Sequence, residues 1–490
     1  MNRALKRISI AALVMFLALI ININYLQGFE TASLANRSGN IRALAAQFQY
    51  QRGDILTSDG KKIAGTVPSN DIYNYKRVYY NPAVYAPVTG YDTLYSQTGV
   101  EEAENGLLSG NGAALSFSNF IDMLTNKPRK GASVELTINS KIQQAAYDGL
   151  QSVLKGTSNT GAVVAINPKT GAILAMASWP SYDPNLLAVH DGTQLNKNDH
   201  ALLTTYPSPL LNNATQSVYP PGSSFKIVTS SAWYTQSPAN TPQTMLDSPQ
   251  PLKLPNGNFL NNDNNAPCGT GSGQTAAIDA FAQSCNTPFA ELGVNLGGAT
   301  LKSMADGFGF NQDLTIPGVT TAPSNFTAEA DKSLTAFDAI GQHDTTETPL
   351  EEAMVAATIA NNGTLMKPYL VQQVTASDLS VISQATPTVL GTPMSQAVAS
   401  YEKQMMLAVV NDSNGTGFAP VAQAGAQNLQ IAGKTGTAQT ANGSVPDSVF
   451  TAFAPAGNPT IAVGVIVQGG GYGATTAAPI AIAAIKAAQG

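Results

Sequence analysis

Pro220 and Pro221 bar any helix from running through them, yet the residues that follow, from Ser224 through Ile227 and Val228 to Ala232 and Trp233, can form one. The break therefore puts Ser223 at the first turn of a buried helix. Ser223 and Lys226 are three residues apart, so their side chains project from one helix face, about 5–6 Å apart at Cβ. A hydroxyl beside an amine is a nucleophile beside a base. The amine can act as a base only if burial or a second cation brings it down from about 10.4 toward neutrality.

Ser-x-x-Lys alone is weak, because it also occurs at Ser58/Lys61, Ser152/Lys155 and Ser400/Lys403. Two further elements distinguish Ser223: Ser284-Cys285-Asn286 downstream, and later Lys434-Thr435-Gly436-Thr437 within strand-like residues. These too have decoys, at Ser38-Gly39-Asn40, Ser109-Gly110-Asn111 and Lys169-Thr170-Gly171. Only one triple runs in the order Ser-x-x-Lys, Ser-x-Asn, Lys-Thr-Gly with domain-sized gaps. In the strand, Lys434 and Gly436 share one face and Thr435 and Thr437 the other. Such a strand edge offers ammonium and hydroxyl groups to a peptide that pairs with it, and Gly436 permits close approach.

The rest of the chain supplies context. Arg3, Lys6 and Arg7 precede an apolar run from Ile8 to Ile21, which predicts an uncleaved single-pass anchor at residues 1–30 with the N-terminus inside and the body exported. A cleaved leader is the alternative, with Ala32 and Ala35 as candidate small residues. Residues 31–130 read as a separate β-containing pedestal or interaction module. It holds a hairpin about Asp59-Gly60 and an aromatic segment from Tyr73 to Tyr95. Residues 131–490 are more regular. Val134–Ile138 reads as a strand leading into a helix, Ala162–Ile166 and Ala172–Met176 as a hairpin, and helical stretches follow Ser223. Ser448–Pro455 and Thr460–Gln468 are strands, and Ala477–Ala488 is a closing helix. Strands at both ends with helices between predict an α+β domain whose first and last segments share one sheet. Formal charge is −6 with no basic cluster, which argues against nucleic acid. The three histidines, His190, His200 and His343, lack the spacing of a zinc site, and no metal or cofactor is expected.

The ordered triple resembles that of the serine penicillin-recognising enzymes. With Arg52-Gly53, Tyr85-Ala86-Pro87-Val88-Thr89-Gly90-Tyr91, Gly161–Ala165, Ser181–Asn185, Ile340-Gly341-Gln342 and Thr348-Pro349-Leu350, nearly the whole chain resembles a class B penicillin-binding protein of the short actinobacterial penicillin-binding protein A type. The resemblance implies the penicillin-binding transpeptidase fold, an antiparallel sheet flanked by helices with an all-helical subdomain. It also implies a peptidoglycan D,D-transpeptidase that acts on stem peptides of a lipid-linked precursor and is acylated by β-lactams. Ser223 would attack, Lys226 take its proton, and Ser284 relay a proton to the departing D-alanine. Asn286 would orient substrate and Lys226, and the backbone N–H groups of Ser223 and Thr437 would form the oxyanion hole. Lys434, Thr435, Gly436 and Thr437 would receive the substrate, Lys434 also lowering Lys226. Membrane proteins of the elongation or division machinery would be partners. The chain departs from the family after the third element, where Asp447-Ser448-Val449-Phe450 stands in place of the family's frequent His or Trp. In an exported protein Cys268 and Cys285, the only cysteines, are expected to pair and staple the Ser284 loop. A D,D-carboxypeptidase of the same fold, a β-lactamase and a non-catalytic β-lactam sensor or scaffold are the competing readings. A bifunctional enzyme would need a glycosyltransferase domain for which there is no room before Gly131.

Overall fold

A computed structural model describes residues 3–28, 45, 47–112, 115, 130–440 and 444–489. The candidate leader residues Ala32 and Ala35 and the Ser38-Gly39-Asn40 match lie outside them. Helix α1 (Arg3–Gly28) is apolar and exposed on all sides, and Leu5–Gln27 is long enough to cross a membrane. It continues past Asn22 and Asn24, and polar side chains within it bond back along the helix. Asn24 Nδ2 donates to the Ile20 carbonyl at 2.8 Å, and Ser9 Oγ to that of Leu5 at 3.0 Å.

The pedestal contributes β1 (Ile55–Leu56), β2 (Lys62–Pro68) and β3 (Tyr75–Tyr79), with the β1–β2 turn at Asp59-Gly60 as expected. The aromatic segment contains a helix, α2 (Pro82–Thr89), opened by a proline at its first position and burying Val84, Tyr85 and Val88. The chain then enters β4 (Ser133–Leu136), α3 (Ser140–Leu154), β5 (Gly161–Ile166) and β6 (Ile173–Trp179). Beyond the nucleophile's turn come α4 (Lys226–Gln236), α5 (Ala277–Ala282), α6 (Thr287–Leu296) and α7 (Gly298–Phe308). Next are α8 (Pro349–Ala360), β7 (Val371–Thr375), β8 (Val381–Gln384) and α9 (Gln396–Asn411). The chain closes with β9 (Ala432–Ala438), β10 (Asp447–Ala454), β11 (Ile461–Val467) and α10 (Ala477–Gln489).

Two sheets organise the molecule. The central one is antiparallel in the order β9-β10-β11-β5-β6, so the last strands of the chain pair with β5, Val465 opposite Val163. Only the hairpin of β5 and β6 shares this sheet with the end of the chain; β4, the first strand after residue 130, does not. Strands β5, β10 and β11 are buried along their length, packed between α8 on one face and α3 with α10 on the other. Gly464 lets α8 lie directly on β11, since a Cβ there would come within 2.5 Å of the Ala353 nitrogen.

The second sheet runs β8-β7-β4-β1-β2-β3 and takes strands from both sides of residue 130. Here β4 pairs parallel with β1, Ile55 opposite Val134, and antiparallel with β7. Its joint is held by a buried ion network: Glu101 accepts from Arg77 Nε at 2.5 Å and Arg52 Nε at 2.7 Å, with Asp92 3.5 Å from Arg52. Burial pushes the Glu101 carboxyl up, but Arg77 and Arg52 more than offset it and hold it below its ordinary value. Between Ser223 and Gln430 the helices are interleaved with strands of two to five residues, such as Met245–Asp247 paired with Gln274–Ala276 and the β7–β8 hairpin. Such short pieces carry too little alternation to be read from sequence.

Candidate active site

The helix break at the prolines takes the form of a 3-10 turn, Gly222–Phe225, running directly into α4. Gly222 has φ 58° and its N–H donates to the Gly341 carbonyl at 2.8 Å. A side chain on Gly222 would begin 2.7 Å from the Thr437 carbonyl, and one on Gly436 2.6 Å from that of Pro221. The turn carrying Ser223 and the strand carrying Thr437 are thus pressed together. The close approach that Gly436 permits here is to the Pro221 carbonyl.

Lys226, Ser284, Asn286 and Lys434 converge beside that turn. After α5 the chain reverses through Ser284, which holds φ 60°, a costly conformation for a residue other than glycine. Lys226 Nζ donates to the Ser284 carbonyl at 2.7 Å and to Asn286 Oδ1 at 2.8 Å. Lys434 Nζ donates to Ser284 Oγ at 2.7 Å and to the Thr435 carbonyl at 3.0 Å. Both lysines are fully buried. Burial, then Lys434, lowers Lys226 well below its ordinary range; burial lowers Lys434 to about 7 against the attraction of Glu352. A neutral Lys226 has two N–H bonds and one lone pair. In that form the Ser284 carbonyl and Asn286 Oδ1 would take both N–H groups and leave the lone pair free.

The alternation expected of the Lys434–Thr437 strand is present, with a difference. Thr435 and Thr437 line an open cleft of about 1160 Å³ together with Ser223, Ser284 and Asn286, whereas Lys434 reaches Ser284 from the buried face. β9 is the edge strand of the central sheet, so among the described residues one of its backbone edges has no neighbouring strand. Cys268 and Cys285 form a disulfide, Cα atoms 5.8 Å apart, that ties the Ser284 loop to the preceding segment. The decoys lie elsewhere: Ser58, Ser152 and Ser400 are exposed, and Lys169 sits on an exposed turn bonded to Asn458.

Several residues at the site carry no sequence signal. Asn262 Oδ1 accepts from the Asn286 and Thr287 N–H groups at 2.7 and 2.9 Å, capping α6 from a distant loop. Thr416 Oγ1 lies 2.6 Å from Thr435 Oγ1. Beneath the nucleophile's turn, Ser224 Oγ donates to Glu352 Oε2 at 3.0 Å. Glu347, Glu351 and Glu352 are all buried, and burial raises all three carboxyls. Glu352 is raised less than the other two, because Glu347, Ser224 and Lys434 all favour its ionised form. Glu347 precedes α8, and Glu351 and Glu352 are neighbours in its first turn; nothing local says that any of them is buried. Asp447, where the family often has His or Trp, accepts the Gly469 N–H at 2.8 Å; Pro446, Tyr472 and Gly473 line the cleft in its place. Among the described residues one mixed group, Glu329, His343 and Asp344, has ligand atoms within 4.8 Å of one another and could hold a cation, with His343 at the cleft mouth. Its residues come from separate loops, which is why histidine spacing gave no hint of it.

An antiparallel sheet with a serine, two buried lysines and an Asn-bearing loop at its edge strand defines a penicillin-recognising acyltransferase site, and sequence profiles agree. The profile of the penicillin binding protein transpeptidase domain matches residues 161–486, and that of the penicillin binding protein A dimerisation domain residues 52–134. The chain belongs to the class B penicillin-binding protein transpeptidase family. Its similarity is strong to the peptidoglycan D,D-transpeptidase PbpA of Mycolicibacterium smegmatis, 40% identical over 100% of this chain and 99% of that one. The PbpA of Mycobacterium tuberculosis is 37% identical over the same shares. The ceftriaxone acyl-enzyme structure of penicillin-binding protein A from M. tuberculosis superposes with a TM-score of 0.85 at 37% identity, over 91% of this chain and 100% of that one. A D,D-transpeptidase domain from Eggerthella lenta gives 0.75 at 31%, over 90% and 98%.

Proposed function

We propose that this protein is a membrane-anchored peptidoglycan D,D-transpeptidase that cross-links stem peptides through an acyl-serine intermediate and is acylated by β-lactams. The observation that carries the reading is the Lys226 amine, buried, lowered and with both of its neutral-state N–H groups already engaged. Ser223 Oγ attacks the carbonyl of the penultimate D-alanine as its proton passes to Lys226 Nζ. The oxyanion is held by the Ser223 and Thr437 backbone N–H groups, each such donor being worth about 2.7–4 kcal/mol of barrier. Ser284 Oγ accepts from Lys434, which leaves its own proton free to pass to the departing amine while Lys226 replaces it. The C–N bond breaks and D-alanine leaves. An acceptor amine then attacks the ester, its proton returning along the same path, and Ser223 is regenerated. Asn286 fixes Lys226 and the substrate amide; Lys434, Thr435 and Thr437 take the substrate carboxylate at a strand edge that the peptide extends. A β-lactam leaves its amine tethered after ring opening, so the acyl-enzyme persists.

α1 supports a single-pass anchor, and Arg3, Lys6 and Arg7 at its start favour a cytoplasmic N-terminus with the catalytic region outside. The disulfide fits an oxidising exterior. The pedestal would dock membrane proteins of the growth or division machinery. No cofactor is needed for this chemistry.

The reading is tested by giving the enzyme a D-alanyl thioester donor together with a primary amine. Amide product should form and rise at the expense of hydrolysis as the amine concentration increases. Hydrolysis alone, unaffected by amine, would make the protein a D,D-carboxypeptidase.

A further inference from the structure

The reaction brings together two charged groups on the peptide side: the donor's terminal carboxylate and a primary amine carried by the stem peptide's side chain. The carboxylate has its counterpart in Lys434 and the two threonines. The amine, a cation until it loses a proton, needs a counterpart as well. Among the described residues lining the cleft, Asp263 is the only carboxylate; its neighbours there are mostly neutral, Asn261, Asn264, Asn265 and Gln283 among them.

Asp263 sits on a wall built to hold it still. Asn262 N donates to Gln250 Oε1 at 3.0 Å, and Asn262 Oδ1 takes both N–H groups at the start of α6. Asn286 Nδ2 in turn donates to the Asn261 carbonyl at 3.3 Å. Three residues past the short turn Asp263–Asn265, Cys268 is bonded to Cys285 inside the Ser-x-Asn loop. Asn264 and Asn265 both adopt left-handed backbone, φ 53° and 54°, and the first donates its N–H to Asp263 Oδ1 at 3.1 Å, so the carboxylate is oriented by its own turn. The side chain is exposed to the cleft and near enough to Lys226 to favour that residue's charged form. The wall carrying Asn286 therefore also carries one positioned carboxylate.

We propose that Asp263 is the subsite for the primary ammonium group of the stem peptide, and that it selects peptides whose third residue is a diamine. This rests on the transpeptidase reading above. The ammonium has two sources, the side chain of the donor strand or the amine of the acceptor strand, and one pair of donors separates them. Two thioester donors ending in D-alanine are offered to the full-length protein, one with lysine before the D-alanine and one with Nε-acetyllysine. If the donor strand is read, Asp263→Asn lowers kcat/KM for the lysine donor by about fivefold while sparing the acetylated one. If the acceptor strand is read, Asp263→Asn lowers the ratio of aminolysis to hydrolysis by about fivefold when a lysine peptide attacks the acyl-enzyme made from the acetylated donor. In either case Asp263→Glu restores the selectivity. An equal loss on all substrates, or both ratios unchanged, would overturn the proposal. Benzylpenicillin bears no amine, so its adduct reports on the serine site alone; losing that adduct in the wild type would indict the catalytic reading and not the subsite.

Discussion

Lys226→Met lowers the second-order rate of acylation by benzylpenicillin by about 10³-fold, the scale of a lost general base, while the protein stays folded. The apolar chain fills the same buried space and removes a desolvated amine. The pH profile makes the assignment specific. In the wild type the rate falls at acid pH, because Lys226 becomes protonated and its lone pair is lost. It falls again as pH rises past about 7, where Lys434 gives up the charge that receives the carboxylate. Lys226→Met abolishes the acid limb and keeps the alkaline one. Stopped-flow acylation across pH, with a thermal melt of each protein, checks this. A variant with an unchanged acid limb would move the base elsewhere.

Gly341→Ala is expected to be nearly as damaging, although Gly341 touches no substrate. It holds φ 71°, and a Cβ there would begin 2.1 Å from the Gly222 carbonyl oxygen, a backbone atom that cannot swing away. Strain of this kind costs about 1–3 kcal/mol. The larger effect is on rate. The displaced Gly222 peptide precedes Ser223, and a shift of about 1 Å in a reacting group costs about 10²-fold. Gly425→Ala is the control: φ is 59° but nothing lies within 4 Å of the added carbon. It should lose stability and keep acylation. Melting temperatures and acylation rates measured on both variants separate strain alone from displacement of the nucleophile.

What the sequence made legible follows from the range of each interaction. The central strands could be read because Val163 to Ile166, Val449 to Phe453 and Ile461 to Val467 are apolar runs bounded by turns, and buried strands look like that. The Ser223, Ser284 and Lys434 elements could be read because each carries its chemistry within four residues and their order is rare. The contacts that make the site work are of another kind. Asn262 capping α6, Thr416 against Thr435, and Glu352 beneath Ser224 join residues 25, 19 and 128 positions apart, and each is an ordinary polar residue in its local setting. The same holds for β4. Alternation identified it as a strand, but only the fold shows that its partners are β1 and β7, on opposite sides of it in sequence. Gly436 illustrates a subtler limit. Its small size was legible, yet the atom that needs the space is the Pro221 carbonyl.

The most direct measurement is the intact mass of the protein after incubation with benzylpenicillin, made in parallel on Ser223→Ala. A single stoichiometric adduct on the wild type, lost slowly, with none on the variant, is the predicted result. No adduct on the wild type, or one that survives Ser223→Ala, would contradict the account at its centre.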